Sequence, residues 1–490
     1  METIRSKTGE DRDPSEVIDI SKSVCPICLE VIDCNIASRG GKVYMQKHCD
    51  KHGVFEELVY SSVEDFLNAE KYNKPGSRPL HLQASVERGC PHDCGLCEAH
   101  KQHTCVGIIE VTDRCNLNCP VCFADSKSSF TIPLEKVKEM IDLYVRCEGK
   151  PEVLQISGGE PTLHPDILNI LRYAGEKGIR YPVLNTNGIK LAERDFTEKV
   201  ADTMQNNKYP ISKPLIYLQF DGLDDEIYRK LRGRPLLDTK MKALENCSDL
   251  GMNVALVPTM VKGINEHEMG DIIDFALSDK NIKMVSFQPA TRAGRYGLED
   301  NQERLTIPEV LEFIGKQTAG FLKKESFINI PCPYPICSVC SYIYRKGNRN
   351  IVLTKLLDSK RYMEYLVNRT VVDIEFTEKM KKELEAFESL LSMSSIPGSR
   401  KAGKAFCTLC QGMIPDIKDM VDNMTFISVH SFMDEYDFHL KRAMKCCVTE
   451  ILPNGQMIPF CVYNTLYRKR LTKEFAKQFP DKKDDTGLAK

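Results

Sequence analysis

Cysteine is the residue best able to carry chemistry in this chain, and 18 of its 21 copies fall in bunches. The bunches are 25/28/49, 90/94/97/105, 115/119/122, 332/337/340, 407/410 and 446/447/461. In a reducing compartment, clustered thiols point to metal sites rather than disulfides. The middle bunch, Cys115-x3-Cys119-x2-Cys122, offers three thiolates. On a four-iron cube, three thiolates leave one iron open to a small-molecule ligand. A zinc knuckle is the other use of such spacing.

A second motif follows one strand–helix unit later. Ser157-Gly158-Gly159-Glu160-Pro161 closes a predicted strand. Its glycines permit close backbone approach to a ligand, and its carboxylate suits an ammonium. Further strand ends carry Asn185-Thr186-Asn187-Gly188, Gln219-Phe220-Asp221-Gly222, Val257-Pro258-Thr259 and Gln288-Pro289-Ala290-Thr291-Arg292. With Phe123 directly after Cys122, this set resembles the radical S-adenosylmethionine (SAM) superfamily. The resemblance implies that Cys115, Cys119 and Cys122 are the catalytic ligands of a [4Fe–4S] cluster. The open iron would chelate SAM, and reductive cleavage would yield a 5′-deoxyadenosyl radical. It also implies that Phe123, Gly158, Gly159, Glu160, Pro161, Asn185, Asn187, Gln219, Asp221, Pro258, Gln288 and Pro289 hold SAM.

The other cysteines suggest more metal. Cys25, Cys28 and Cys49 form a tetrahedral set lacking one ligand, which His52 or Cys34 could supply, for mononuclear zinc or iron. Cys90, Cys94, Cys97 and Cys105 supply four thiolates, enough to close an auxiliary [4Fe–4S] cluster or a structural zinc site. Cys332, Cys337, Cys340, Cys407, Cys410, Cys447 and Cys461 exceed the needs of one cluster, and spacing does not choose among them. Cys147 and Cys247 stand alone in helical patterns and read as small buried hydrophobes.

These residues need elements to position them. Short apolar strands at 108–112, 152–156, 181–185, 215–220, 253–259 and 283–287 alternate with helical periodicity at 133–147, 165–177, 193–204, 239–250 and 265–277. Such alternation specifies an α/β fold, a partial (β/α)6 barrel with chemistry at the strand carboxyl ends. The predicted organisation is a loose leader (1–20), a Cys-rich metal-binding domain (21–107), the barrel (108–320), a Cys-rich auxiliary-cluster domain (321–466) and a solvated tail (467–490). Within 321–466, helices are expected at 353–367 and 376–393, with a linker at 394–405. A segment as short as 21–107 builds little core and would lean on metal.

Composition excludes some classes. Net charge is −2, so no long-range field recruits nucleic acid, and no apolar run reaches membrane-spanning length. The first residues show no signal-peptide pattern, which gives a cytoplasmic expectation. The stretch 89–105 and the stretch 445–464, with the Cys-rich start, resemble the archaeal tetraether lipid synthase group, whose homologues are also described as pterin methyltransferases. That resemblance implies carbon–carbon coupling of archaeal phospholipid chain ends, two auxiliary [4Fe–4S] clusters, an electron donor such as ferredoxin or flavodoxin, and peripheral membrane contact. Arg292, Arg295, Lys441 and Arg442 would then meet phosphate headgroups, with solvated surface as their plainer reading. Methylation of a pterin, modification of a partner polypeptide and a zinc-stapled binding scaffold are the competing functions. Product mass, a modified co-purified peptide and a colourless zinc protein, respectively, distinguish them.

Overall fold

The computed structural model describes residues 15–127, 129–205, 215–298, 304–347, 349–356, 366–369 and 422–481. Cys407, Cys410, the expected helix at 376–393, the linker at 394–405 and most of the expected helix at 353–367 lie outside them.

The chain opens with an antiparallel meander, β1 (Glu16–Val24), β2 (Val31–Arg39), β3 (Lys42–Cys49) and β4 (Gly53–Tyr60), followed by helix α1 (Val63–Glu70). Strand β1 therefore takes in part of the segment expected to be a loose leader. The alternating strands β3 and β4 bury Val43, Met45, Val59 and Tyr60. The ribbon is locked to the rest of the chain by charge. Lys47 Nζ donates to Ser23 Oγ (3.0 Å), Val24 O (2.9 Å) and Glu435 O (2.7 Å). Glu57 faces Arg292 at 3.2 Å and Arg304 at 3.6 Å, and Arg304 also pairs with Asp434 and Asp437.

After a stretch without helix or strand, the barrel runs β5 (Val106–Glu110), the short β6 (Val121–Cys122), α2 (Leu134–Glu148), β7 (Val153–Ser157), α3 (Ile167–Glu176), β8 (Tyr181–Thr186), α4 (Arg194–Gln205) and β9 (Leu215–Gln219). It continues through α5 (Asp225–Arg232), α6 (Leu237–Asp249), β10 (Asn253–Val257), β11 (Thr259–Met260), α7 (Met269–Ser278), β12 (Ile282–Pro289), β13 (Arg295–Tyr296) and α8 (Ile307–Gln317). The helices are amphipathic. In α2, for example, Val137, Met140, Ile141 and Tyr144 recur at helical spacing and are buried. The six expected strands lie in the parallel order β5-β7-β8-β9-β10-β12.

The C-terminal segment adds β14 (Ile328–Asn329), β15 (Ser338–Lys346), β16 (Arg349–Val352), β17 (Met424–His430), β18 (Val448–Ile451) and β19 (Met457–Pro459). Here the structure corrects the predicted boundary at 320. Strand β17 extends the sheet in parallel beyond β12, and β18 extends it in parallel beyond β5, so both edges of the barrel come from the region read as a separate domain. The predicted tail is corrected too. Arg468–Gln478 is a helix that buries Arg468, Leu471 and Phe475, because Arg468 has a partner in β5.

Period-two alternation then selects what faces inward. Val106, Ile108 and Glu110 of β5, Val153, Gln155 and Ser157 of β7, Tyr181, Val183 and Asn185 of β8, and Leu215, Tyr217 and Gln219 of β9 line a cavity of about 1160 Å³. Their alternates, such as Ile109, Leu154, Leu184 and Ile216, are fully buried.

Candidate active site and metal centres

Strand β5 delivers the chain to the cysteine loop, and Cys115, Cys119 and Cys122 all line one region of the cavity wall. The loop is held from outside by the segment after β12. Strand β6 pairs with β13, Gly297 N donates to Pro120 O (2.9 Å), and Arg295 donates to Cys119 O (3.1 Å), Ser126 O (3.0 Å) and Asp125 (3.1 Å). Arg295 is thus a clamp on this loop rather than a headgroup ligand or a solvated charge. Phe123 lines the cavity and meets Phe432 and Phe460 edge-on, with centroids 5.4 and 5.5 Å apart. Burial pushes the Cys115 thiol up to about 12. It also raises Cys119, where the Arg232 guanidinium opposes the shift. Such thiols become ligands when a cation takes the proton's place.

The Gly-Gly-Glu-Pro turn sits against the same loop, for a reason that differs from the one expected. A Cβ on Gly158, whose φ is +142°, would lie 2.2 Å from Thr112 O, and one on Gly159 would lie 2.4 Å from Arg114 O. The glycines therefore let the turn dock on the chain leaving β5, sealed by Gly159 N to Thr112 O (2.8 Å) and Glu160 N to Arg114 O (2.7 Å). Glu160 lines the cavity with its carboxylate buried and already engaged. It accepts from Thr162 Oγ1 (2.6 Å), Thr186 Oγ1 (2.7 Å) and Asn187 N (2.7 Å), and so ties the ends of β7 and β8 together. Pro161 starts the following short helix and is absent from the cavity lining.

Asn185, Asn187, Gln219, Gln288 and Pro289 line the cavity as expected, whereas Asp221 and Pro258 do not. Asp221 is fully buried behind the wall. Its two oxygens take Arg232 Nε (2.6 Å) and Nη2 (2.7 Å), and Arg232 also donates to Val121 O (3.1 Å) in the cysteine loop. Lys240, also fully buried, donates to Asn187 O and to Gln219 Oε1 (2.7 Å), and burial pulls its ammonium down to about 7. Sequence reading missed Arg232 and Lys240, which lie in helices outside any motif.

The cysteine census resolves into distinct places. Cys25, Cys28, Cys49 and His52 bring four ligand atoms within 4.8 Å of one another. His52 Nδ1 is 3.5 Å from both Cys25 Sγ and Cys49 Sγ, and Cys28 and Cys49 are 3.9 Å apart. Tetrahedral zinc with bonds of about 2.0–2.3 Å has edges of this size. Cys34, in contrast, is a buried thiol raised to about 11 by its burial.

Cys105 departs from its expected group. It lies 2.7 Å from Cys332 and forms a buried trio with Cys447, because β18 pairs beside β5 and places the two strand starts together. Cys340 is buried in the same packing cluster. Cys90 and Cys94 stay near each other, in a loop that Tyr467 Oη holds through Pro91 O (2.8 Å) and His92 O (2.7 Å). Cys337, Cys446 and Cys461 all line the cavity, and Arg442 Nε donates to Cys337 Sγ (3.2 Å). Arg442 is accordingly a buried partner of thiols, while Arg292 faces Glu57 and Lys441 pairs with Asp19 (2.6 Å). Among the described residues, no helix is long and apolar enough to cross a membrane.

Two family models match this chain: the Radical SAM superfamily over residues 109–276, and the HMPTM N-terminal zinc ribbon domain over residues 17–61. A 7,8-dihydro-6-hydroxymethylpterin dimethyltransferase from Methanocaldococcus jannaschii is 32% identical, with the alignment covering 93% of this chain and 95% of the relative. An Fe-coproporphyrin III synthase from Methanosarcina barkeri is 31% identical over 44% of this chain and 51% of its own. Among solved structures, Streptococcus suis SuiB bound to S-adenosylmethionine aligns over 44% of this chain and 47% of that chain, at 20% identity and a TM-score of 0.37.

Proposed function

The chain belongs to the family of the archaeal 7,8-dihydro-6-hydroxymethylpterin dimethyltransferase, within the radical SAM superfamily, and on that premise we propose that it methylates a pterin-type heterocycle. What carries this reading is the end-to-end match to that relative, which runs through the zinc ribbon, the barrel and the C-terminal strands alike. It favours the pterin alternative over the tetraether lipid synthase reading.

The residues present fit a cluster held through three of its irons. Three thiols line the cavity, with Cys119 and Cys122 close enough to Cys115 to act on its charge. When bound, the reduced cluster with SAM supplies a 5′-deoxyadenosyl radical, with the electron coming from a donor such as ferredoxin or flavodoxin. The chain's part is placement. Arg295 and Arg232 fix the cysteine loop, Glu160 fixes the turn and the end of β8, and Lys240 holds Asn187 and Gln219 in register. The inward Gln155, Asn185, Tyr217 and Gln288 give the cavity a polar belt suited to a flat heterocycle. Asn185 Nδ2 donates to Gln155 (2.9 Å) and Gln288 Nε2 to Tyr217 Oη (2.8 Å). Each methylation adds one carbon, which a second SAM or a folate-like carrier would supply.

Coupling of archaeal phospholipid chains is the second reading. The apolar wall of Val106, Val153, Leu215, Met284 and Phe426 favours it. The test is an anaerobic assay of the reconstituted protein with SAM and dithionite, with 6-hydroxymethyl-7,8-dihydropterin in one arm and archaeal phospholipid in the other. Deoxyadenosine with a pterin heavier by whole CH2 units is the expected result. Deoxyadenosine with coupled lipid and an unchanged pterin would overturn the pterin reading.

A further inference from the structure

Glu450 lies on β18 with its side chain on the inward face, in the same series as Val448, and it lines the cavity. It is 1% exposed, and neither carboxylate oxygen has a hydrogen-bond partner among the described residues. A second acid, Glu110, sits beside it on β5, and Arg468, the cation that acts on Glu450 among the described residues, is already engaged. Arg468 gives Nη1 and Nη2 to Glu110 (2.9 and 2.6 Å) and Nε to Asn464 (2.7 Å). Burial, with Glu110 adding to it, holds the Glu450 carboxyl well above its ordinary range. A buried acid left in this state is costly to the fold, even when neutral. Its retention in a cavity wall therefore calls for a ligand that completes it.

We propose that Glu450 is the specificity residue for a 2-amino-4-oxopyrimidine ring, receiving the ring's N–H edge while Glu110 and Arg468 close the site behind it. The chemistry fits in either protonation state. An ionised carboxylate accepts from two adjacent N–H groups. A neutral one accepts from one N–H and donates to the neighbouring ring acceptor. The aminopyrimidine edge offers both pairings. A hydrocarbon chain offers neither and would leave the acid unpaired. The inference rests on the pterin reading above and extends it to how the ring is recognised.

The test is anaerobic titration calorimetry of the cluster-loaded protein with 6-hydroxymethyl-7,8-dihydropterin and with the analogue lacking the 2-amino group. Wild type should bind the pterin and bind the analogue at least tenfold more weakly. Glu450→Leu should bind the pterin about 10- to 100-fold more weakly, with melting temperature unchanged or raised and iron content unchanged. Equal affinity of wild type for pterin and analogue overturns the proposal without needing any variant to fold. Undiminished pterin binding by Glu450→Leu overturns it as well, and both results leave the pterin reading standing. A wild type that cleaves SAM but binds no pterin removes that reading, and the proposal with it.

Discussion

Truncating Arg232 to alanine would leave the fully buried Asp221 carboxylate without its bidentate partner and release Val121 O in the cysteine loop. Breaking a buried pair from one side costs about 3–5 kcal/mol. We therefore expect Arg232→Ala to lose that much in denaturant unfolding and to hold less iron after reconstitution. Iron content equal to wild type would show that the clamp does not serve the loop. Glu450 makes a pH prediction. Its folded carboxyl stays protonated above its ordinary value of 4.5, so from there upward the folded state holds a proton that the unfolded state releases. Stability then falls as pH rises, at up to about 1.4 kcal/mol per unit. Glu450→Leu lacks this slope, so its stability advantage over wild type should widen as pH rises above the ordinary carboxyl value of 4.5, and parallel curves would contradict the raised carboxyl. At this scale the sequence was legible where chemistry is written in consecutive residues. The three loop cysteines and Asn187 stand in the cavity wall as their spacing suggested. Asp221 was misplaced because its partner lies on a helix with no motif to announce it, and Glu450 carries no pattern at all until β18 is seen beside β5.

The turn after β7 tests what the glycines are for. Replacing Gly158 with alanine puts a methyl group 2.2 Å from Thr112 O in a backbone conformation that L-residues avoid. The turn must then lift off the chain leaving β5, taking Glu160 and the end of β8 with it. SAM binding by equilibrium dialysis should fall at least tenfold, about 1.4 kcal/mol or more. An unaffected affinity would mean that the docking is not needed to shape the site. Elements were the most readable level of this chain. Runs such as 153–157 and 215–219 are buried on the helix side and at least half-buried on the cavity side, so they read as short apolar strands bounded by helical periodicity. The strands β17 and β18 escaped because they come after the alternation has ended, and only tertiary pairing, not local pattern, joins them to the sheet.

Taken as a whole, the sheet has two free ends, and the buried cysteine trio sits where they meet. Cys332 follows β14 at one end of the strand order, whereas Cys447 precedes β18 near the other, and Cys105 precedes β5. Cys332→Ser should therefore lower iron content and raise hydrogen exchange in Val448–Ile451 while β8 and β9 keep their protection. Protection lost evenly across the barrel would argue against a local seam. The ribbon metal is a separate matter. A chelator that strips Cys25, Cys28, Cys49 and His52 should open residues 16–60 to protease first, since those ligands tie the turn after β1 to the turn after β3. The pairing of Val106 with Val448 has a consequence for the life of the chain before it is finished. Synthesis proceeds from the N-terminus, and β5 emerges from the ribosome long before the strand that covers its outer edge. Until β18 arrives, that edge is an open template for other chains, and contacts of such long sequence separation form slowly. Thus neither cover for that edge nor assembly of the trio can begin until Cys447 and β18 have been made, so loading of that site must follow synthesis of every barrel strand from β5 to β12.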